Sequence, residues 1–362
     1  MLLLRGGRVL APGGSWVDAS VAVDGGLIAG VSPSHAAGPG DLDVSGCWVL
    51  PGFVDLHVHA AGGARLQGAG ASLPGVAAAL ARGGVTSFLA TTYAAPLAEL
   101  HAAVTASTEP TPRGARCAGV HLEGPWLAYD YAGAQPREAL ADPDLQAALD
   151  LVAAGPVRVV TLAPELPGAH DLIATLVARG VRVSLGHSGT TYDGAVAAVG
   201  AGATQVTHAF NAMSPMRHRD PGLVGAAFDL PGLTVEVIAD GVHVHPAAVR
   251  ALWRARGADG VCLVSDCVDG CLDGDPLVRD GDVLRRADGT LAGSAATLAA
   301  AVRNAVAWGI PLADAARMAS TTPARALGLD AGRIETGRPA DLVVLDADLA
   351  VRHTVVGGTV VA

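Results

Sequence analysis

Hydrophobic positions follow two different periods along the chain. Between residues 51 and 330, apolar runs of strand length alternate with Ala- and Leu-rich segments of helical period, such as SLPGVAAALARGG and PAAVRALWRARG. The predicted strands lie near residues 52–58, 85–91, 117–122, 157–163, 181–186, 204–208, 233–239 and 260–265. Strands that alternate with helices in this way predict an α/β fold, a (β/α)8 barrel of about 250 residues. A doubly wound sheet is the alternative, but no GxGxxG turn follows the first predicted strand.

The two ends of the chain have a different pattern. Residues 1–50 and 331–362 consist of short apolar runs of strand character separated by glycine-rich breaks, without a helical period. We therefore predict two domains. Residues 51–330 would form the barrel, and the two termini together would form a small β-domain.

Composition and charge exclude several classes of protein. Of 362 residues, 51% are hydrophobic and 16% are charged, which is typical of a packed globular protein. The net charge of −10 argues against a nucleic-acid partner. No apolar stretch approaches the ~20 residues of a membrane span, and five cysteines in so long a chain favour reduced thiols. We expect a soluble, cytoplasmic protein.

Histidine and carboxylate side chains stand where five of the predicted strands end. In chain order they are His57 and His59, His121 and Glu123, His187, His208, and Asp266. The carboxyl ends of barrel strands meet at one rim, where active sites of such barrels lie, so we expect these side chains to converge. Residues i and i+2 of a strand share a side, which brings His57 and His59 to the mouth together.

Converging imidazoles and carboxylates are typical ligands of a divalent cation such as zinc. Glu123, His187 and His208 would form a site with an open position for water. Asp266 would act as the general base beside it. All 24 basic residues are arginine, so no lysine is available to bridge two metals and Glu123 is the candidate bridge. The alternatives are hydrogen-bonded core histidines for the HxH pair and a turn-capping role for Asp266.

A second group of polar residues follows the sixth and seventh predicted strands. Asn211 and Ala212 lie in the loop after the sixth strand, which continues to Arg219, and Asp240 and His243 follow the seventh. Arginine with histidine at a barrel mouth suits a phosphate or carboxylate group of a ligand. A solvated basic loop is the alternative.

Segments along almost the whole chain resemble the amidohydrolase superfamily and, within it, the N-acetylglucosamine-6-phosphate deacetylases. They include PGFVDLHVHAAGG, GVTSFLATT, GVHLEGPWL, LGHSGTTYD, THAFNAMSPMRHRDPGLVGAA, ADGVHVHP, LVSDC and LAGSAATL. The resemblance implies a TIM-like metallo-hydrolase barrel with a small β-sandwich domain built from both termini. The implied reaction removes the acetyl group from N-acetylglucosamine 6-phosphate, and it yields glucosamine 6-phosphate and acetate.

The resemblance also implies a metal site. Glu123, His187 and His208 would hold the principal ion, and His57 and His59 would form a second site that shares Glu123. Some members of the family lack the HxH histidines and work with one metal. We therefore expect one or two divalent ions per chain, with zinc as the metal.

Further residues are implied in catalysis and substrate binding. Asp266 would be the acid–base group. The residues expected to bind the sugar and its 6-phosphate are Ala134, Gln135, Asn211, Ala212, Arg219, Asp240, His243, Ala292, Gly293 and Ser294. In this family the phosphate-binding arginine reaches over from a neighbouring subunit, so a homodimer is implied.

One segment departs from the family pattern and leaves other substrates open. Where the family usually has Lys-Gly-Ala-His, residues 132–135 read Ala-Gly-Ala-Gln, and glutamine can donate a hydrogen bond but cannot carry charge. N-acetylgalactosamine 6-phosphate is therefore an alternative substrate, and an N-acyl amino acid deacylase would share the metal site. A glycosidase would instead pair Glu123 with Asp266. A non-catalytic scaffold of the same fold is the remaining class.

Overall fold

The computed structural model describes residues 2–33, 40–269, 271–272, 275–281 and 283–362. The N-terminal strands are β1 (Leu2–Leu10), β2 (Trp16–Asp24), β3 (Leu27–Ser32), β4 (Leu42–Asp43) and β5 (Trp48–Pro51). Residues 34–39 of the predicted N-terminal region lie outside the described residues, as does the side chain of Cys271. The four cysteines whose side chains are described are free thiols.

Eight parallel strands form the central sheet of the described part of the chain, and each lies within two residues of its predicted bounds. They are β6 (Phe53–Val58), β9 (Val85–Thr92), β10 (Arg116–Glu123), β11 (Val157–Leu162), β12 (Arg182–Leu185), β13 (Gln205–Val206), β14 (Thr234–Ile238) and β15 (Val261–Val264). Two short strands, β7 (Ala60–Ala61) and β8 (Ala64–Arg65), form a hairpin after β6. Every residue of β6 and β9 is buried, as expected for parallel strands covered on both faces.

Helices separate the strands of this sheet. In the described residues they are α1 (Leu73–Arg82), α2 (Leu97–Ala106), α3 (Leu145–Ala154), α4 (Ala169–Ala178), α5 (Tyr192–Gly200), α6 (Gly222–Asp229), α7 (Pro246–Arg256), α8 (Leu298–Ala307), α9 (Leu312–Ala319) and α10 (Thr321–Leu327). Ser72 caps the N-terminus of helix α1, and its hydroxyl accepts a hydrogen bond from Gly75 N–H at 3.2 Å. None of the described helices has the length and apolar character that a bilayer crossing requires.

Hydrogen bonds at the carboxyl ends of the first and last strands close the sheet into a barrel. Asp266 N–H donates to His57 O, and His59 N–H donates to Cys267 O, each at 2.9 Å. The predicted (β/α)8 barrel is confirmed. This closure also places the end of the first strand directly beside the segment that carries Asp266.

An insertion of short strands separates the eighth barrel strand from α8. Its described strands are β16 (Cys271–Leu272), β17 (Asp275–Pro276), β18 (Val278–Asp280), β19 (Val283–Arg285) and β20 (Leu291–Ser294). The last three pair in order as an antiparallel sheet, which we call the β18–β20 sheet. Arg286 fastens this sheet to the loop between β10 and α3, because its Nε and Nη2 donate to Ala134 O at 3.2 and 2.6 Å.

The second large sheet combines strands from both termini. The C-terminal strands are β21 (Leu342–Leu345), β22 (Val351–Val356) and β23 (Thr359–Val360). Strand β5 pairs parallel to β1 and antiparallel to β21, which joins the two ends of the chain. Gly337 N–H donates to Ile28 O, and Ile28 N–H donates to Arg338 O, each at 2.8 Å, so the sheet curls over its own apolar core. We propose residues 1–50 and 331–362 as one domain and residues 51–330 as the other.

Candidate metal centre and substrate pocket

Three of the predicted ligands meet at the mouth of the barrel. Glu123 ends β10, while His187 and His208 each follow their strand by two residues. Glu123 Oε1 lies 3.1 Å from His187 Nε2 and 2.9 Å from His208 Nε2, and the two nitrogens are 3.1 Å apart. Ligands of a tetrahedral zinc, each about 2.0–2.1 Å from the ion, lie roughly 3.3 Å from one another. The spacing and the chemistry of these atoms therefore fit a zinc ion.

A second group of possible ligand atoms adjoins the first. His57 Nε2 and His59 Nε2 are 3.2 Å apart, and they lie 3.5 and 3.4 Å from Asp266 Oδ1. Glu123 stands between the groups, since Oε1 is 3.4 Å from His57 Nε2 and Oε2 is 3.4 Å from His59 Nε2. Three imidazole or carboxylate groups thus surround each of two neighbouring positions, and Glu123 borders both.

Backbone conformation directs three of these side chains into the mouth. His187, His208 and Asp266 have φ angles of 48°, 26° and 47°, which is the left-handed region that residues other than glycine rarely adopt. Such a conformation costs roughly 1–2 kcal/mol per residue. Strained positions cluster at functional sites, where the surrounding structure holds them.

The pKa values of the side chains in this cluster depend on the charges of their neighbours. Burial would raise the pKa of Glu123, but the charge of His57 and hydrogen bonds from His187 and His208 hold that pKa well below its usual range. Burial opposes protonation of His57, yet the carboxylates of Glu123 and Asp266 raise its pKa well above its usual range. Burial also raises the pKa of Asp266, but the charge of His57 and a hydrogen bond from His59 lower it to about 2. Asp266 is therefore ionised at neutral pH and can accept a proton.

Glu236 is a member of the site that the sequence did not reveal. It lies inside β14, is 1% exposed, and has Oε2 at 3.2 Å from His57 Nδ1 and 3.4 Å from His208 N. Burial would raise the pKa of Glu236, but the hydrogen bond from His57 lowers it. A His57 that donates its Nδ1 proton to this carboxylate presents the lone pair of Nε2 to the mouth. The one signal in the sequence was an acidic residue within the apolar run TVEVI.

His121 shares the buried interior, and both of its ring nitrogens are taken up by hydrogen bonds within the protein. Its Nδ1 lies 3.0 Å from Leu56 O, and its Nε2 lies 2.7 Å from Thr161 Oγ1. Burial and the nearby charge of His57 lower the pKa of His121 to about 4. His121 is therefore a neutral core histidine whose two ring nitrogens both have protein partners.

Above these groups lies a pocket of about 490 Å³, a volume typical of small-molecule sites. The predicted substrate-binding residues that line it are Ala134, Gln135, Asn211, Ala212, His243, Ala292 and Gly293. Three others do not line it. Arg219 is exposed on the surface, Asp240 pairs with His243, and Ser294 is buried with its hydroxyl accepting from Ala296 N–H at 2.8 Å.

Gln135 is held at both ends of its amide group. Its Oε1 accepts from Ala94 N–H at 2.8 Å, which fixes the orientation of the amide. Its Nε2 donates to Glu123 Oε2 at 2.6 Å. The residue that replaces the family histidine therefore contacts the carboxylate at the metal centre as well as the pocket.

His243 offers a free ring nitrogen to the pocket. Its Nδ1 donates to Asp240 Oδ2 at 2.6 Å, and Asp240 Oδ1 accepts from two backbone N–H groups. Burial would raise the pKa of Asp240, but the hydrogen bond from His243 lowers it, so the carboxylate is ionised at neutral pH. His243 Nε2 is buried and has no hydrogen-bond partner in the described part of the chain. It is thus available to a ligand hydroxyl or phosphate.

Comparisons with known proteins identify the family of this chain. The sequence pattern of the amidohydrolase family matches residues 48–361. An N-acetylgalactosamine-6-phosphate deacetylase from Escherichia coli O157:H7 is 36% identical over 98% of both chains. A human N-acetylglucosamine-6-phosphate deacetylase is 38% identical over 88% of this chain and 84% of its own. The crystal structure of the Mycobacterium smegmatis N-acetylglucosamine-6-phosphate deacetylase, 36% identical, matches all of both chains with a TM-score of 0.92. This chain therefore belongs to the amidohydrolase family.

Proposed function

We propose that this protein hydrolyses the acetamide of an N-acetylated hexosamine 6-phosphate, with N-acetylglucosamine 6-phosphate as its principal substrate. The observation that carries this proposal is the convergence of Glu123, His187, His208 and Asp266 below a pocket of about 490 Å³. The deacetylase relatives support the choice of a phosphorylated amino sugar. One of them acts on the galactosamine isomer, which is therefore the second candidate substrate.

Glu123, His187 and His208 would hold a zinc ion. Their nitrogen-rich donor set suits zinc better than magnesium or calcium, which prefer oxygen ligands. A bound zinc ion would polarise the acetyl carbonyl and lower the pKa of water towards about 7. His57 and His59 together with Glu123 would accommodate a second ion, so one or two ions per chain are proposed.

Asp266 would transfer the proton in this reaction. Its ionised carboxylate accepts a proton from the attacking water, whose oxygen forms a bond to the acetyl carbon. The amide C–N bond then breaks, and Asp266 returns the proton to the sugar nitrogen. Acetic acid and the free amine form, the carboxyl proton of the acid passes to the amine or to solvent so that acetate leaves, and Asp266 is again ionised.

Other residues would hold the reactants in place. Gln135, anchored by Ala94 N–H, keeps Glu123 oriented with Oε1 towards the two imidazoles. His243, fixed by Asp240, and Asn211 would bind sugar hydroxyls from the pocket wall. Ala212, Ala292 and Gly293 add backbone and small side chains that leave room for the ring.

Two further proposals concern the oligomeric state of the protein and the compartment in which it works. In a homodimer, the exposed Arg219 would extend to the phosphate site of the neighbouring subunit. The free thiols of Cys47, Cys117, Cys262 and Cys267 support work in a reducing compartment, the cytoplasm.

Acetate release from a substrate panel tests the proposed function. The panel contains the 6-phosphates of N-acetylglucosamine and N-acetylgalactosamine, unphosphorylated N-acetylglucosamine, and an N-acetyl amino acid. Each is assayed with added zinc, after chelation, and after zinc is restored. We expect a 6-phosphate to be the best substrate and activity to disappear and return with zinc. Preference for the amino acid would favour a deacylase, while activity that survives chelation would contradict the metal-dependent reaction.

A further inference from the structure

A second cavity, of about 470 Å³, lies behind the segment that carries Asp266. It is bordered by the hairpin of β7 and β8, the end of α1, the beginning of α8 and the beginning of β22. No described residue lines both this cavity and the pocket above the metal centre. We propose that the second cavity binds a phosphate dianion, free or as the ester of a small metabolite, and that its occupancy alters the reaction at Asp266.

Three arginines give the second cavity a positive charge. Arg82 lies in the last turn of α1, Arg279 in β18 and Arg303 in α8, so the charges come from three separate elements. Among the residues that the structure describes, none of these guanidinium groups has a carboxylate partner. The acidic residue of the described lining, Asp269, accepts a hydrogen bond from Gly63 N–H. The lining therefore has an excess of positive charge, although the chain as a whole carries −10.

The guanidinium groups keep N–H donors free for a ligand. Arg82 rests against Gly62, since a methyl group on that glycine would lie 3.2 Å from Arg82 Nη2. Arg279 is oriented by its Nε, which donates to Gly281 O at 2.9 Å. Both side chains and that of Arg303 are exposed. Each arginine carries five N–H donors, so most of them remain available.

Charge and size together select the class of ligand. A phosphate monoester carries about −1.5 to −2 charges at pH 7, and the planar N–H fork of a guanidinium binds its oxygens in pairs. The first turn of α8 also lines the cavity, and the positive end of the helix dipole adds to the attraction. A volume of about 470 Å³ is typical of small-molecule sites and leaves room for the organic part of an ester.

The segment that carries Asp266 separates the second cavity from the metal centre. Ser265, Cys267 and Asp269 line the second cavity. Asp266 and Val268, which alternate with them, line the pocket above the metal centre. A ligand in the second cavity therefore contacts the reverse side of the segment that positions the general base. Its binding can shift the carboxylate of Asp266 without entering the substrate pocket.

Calorimetric titration of inorganic phosphate into the zinc-loaded protein tests the site without requiring activity. Arg82→Met, Arg303→Met and a control, Arg254→Met, are compared with the unaltered protein. Arg254 is exposed and lies in the last turn of α7, as Arg82 does in α1, but it lines neither cavity. The loss of a charged hydrogen-bond partner weakens binding by about 10- to 100-fold.

We therefore expect Arg82→Met and Arg303→Met each to weaken phosphate binding by that factor, and Arg254→Met to leave it unchanged. Phosphate that binds at the metal centre instead would bind equally to all four proteins, and this result would overturn the proposal. The absence of phosphate binding to the unaltered protein would overturn it as well.

Two further titrants identify the form of the ligand. Tighter binding of glycerol 3-phosphate than of inorganic phosphate would identify an ester, and the reverse order would identify free phosphate. Succinate carries two negative charges but no phosphate group. Tighter binding of succinate than of both phosphates would contradict the assigned class.

Initial rates at low substrate concentration test the link to Asp266, and this part rests on the proposed function. Phosphate that only competes in the substrate pocket would lower kcat/KM for N-acetylglucosamine 6-phosphate equally in all four proteins. We expect the effect of phosphate on kcat/KM to differ by about twofold or more between the unaltered protein and Arg82→Met or Arg303→Met, a usual scale of coupling between sites. Arg254→Met should behave like the unaltered protein.

The two measurements separate failure of this inference from failure of the proposed function. If the unaltered protein hydrolyses no hexosamine phosphate, the proposed function fails, and calorimetry still decides whether the second cavity binds phosphate. Equal effects of phosphate on kcat/KM in all four proteins would overturn the link to Asp266.

Discussion

Asp266 is the residue whose removal should separate catalysis from metal binding. Asparagine keeps the shape of the side chain but cannot accept a proton from water or return it to the leaving amine. We expect Asp266→Asn to lower turnover by at least ~100-fold, the usual scale of general acid–base catalysis. The zinc held by Glu123, His187 and His208 should remain bound. Acetate release and elemental analysis of the same preparation measure both quantities, and near-normal turnover would remove Asp266 from the mechanism.

Glu236 should strengthen zinc binding through its hydrogen bond with His57. Glutamine at this position keeps a hydrogen-bonding oxygen for His57 Nδ1 but removes the negative charge that makes Nε2 more basic. Partners of this kind are typically worth 10- to 100-fold in metal affinity. We expect Glu236→Gln to weaken zinc binding by that factor in competition with a chelator. Glu109→Gln, which changes an exposed carboxylate, is the control and should bind zinc normally.

At the residue scale, the candidate metal ligands could be predicted from the sequence because they lie at the ends of predicted strands. The end of an apolar run marks the barrel rim, and the spacing of two residues places His57 and His59 on one side. Glu236 could not be found in this way because it lies in the middle of a strand. Its importance follows from its contact with His57, which is 179 positions away in the chain.

At the scale of elements, Asp259 joins two helices to the start of the last barrel strand. Its Oδ1 lies 2.5 Å from Arg317 Nη2 in α9 and 3.1 Å from Arg325 Nη1 in α10. Burial would raise the pKa of Asp259, but these two arginines lower it. A pKa that is lower in the folded than in the unfolded state stabilises the fold above the unfolded value of about 3.9. That stabilisation is lost as pH falls through the folded value.

We therefore expect Asp259→Asn to destabilise the protein at pH 7 but not in acid. The side chain is 55% exposed, so the loss in free energy of unfolding should not exceed about 1 kcal/mol. Urea unfolding at pH 7 and at several values down to pH 3 measures the difference between variant and unaltered protein. A difference that stays constant over this range would contradict an ionic origin.

The long elements were predictable and the inserted ones were not. Barrel strands and their helices have strong hydrophobic periods, and the observed strand bounds differ from the predicted ones by at most two residues at each end. The β18–β20 sheet is composed of strands of three or four residues, which are too short to show a period. It is held by contacts with the barrel mouth, such as those of Arg286 with Ala134, and these are not local in the sequence.

At the scale of the whole molecule, Asp341 connects the two large sheets. It lies just before β21, is 2% exposed, and accepts from the guanidinium of Arg116 at the start of β10. It also accepts from Gly357 N–H at 2.8 Å. A buried carboxylate with partners in both sheets holds the sheet of the two termini against the barrel.

Removal of this carboxylate should weaken the fold without emptying the metal centre. We expect Asp341→Ala to lower the free energy of unfolding by about 1–3 kcal/mol, because it leaves hydrogen-bond donors unpaired. Asp43→Ala removes an exposed ion pair with Arg5 and should leave the urea midpoint nearly unchanged. Urea midpoints and zinc content test both variants. Loss of zinc from folded Asp341→Ala would contradict a purely structural role.

The amino-acid sequence by itself determined the barrel, the β-rich ends and the set of strand-end histidines and carboxylates. These features depend on local periodicity, which tells each residue which side of its own element it faces. Only the tertiary structure decided which groups from different elements face each other. Barrel closure brought Asp266 beside His57 Nε2, and the packing of β14 brought Glu236 to His57 Nδ1. The same packing left Arg219 outside the pocket. Such distances depend on how whole elements pack, and the local periodicity of the sequence does not predict them.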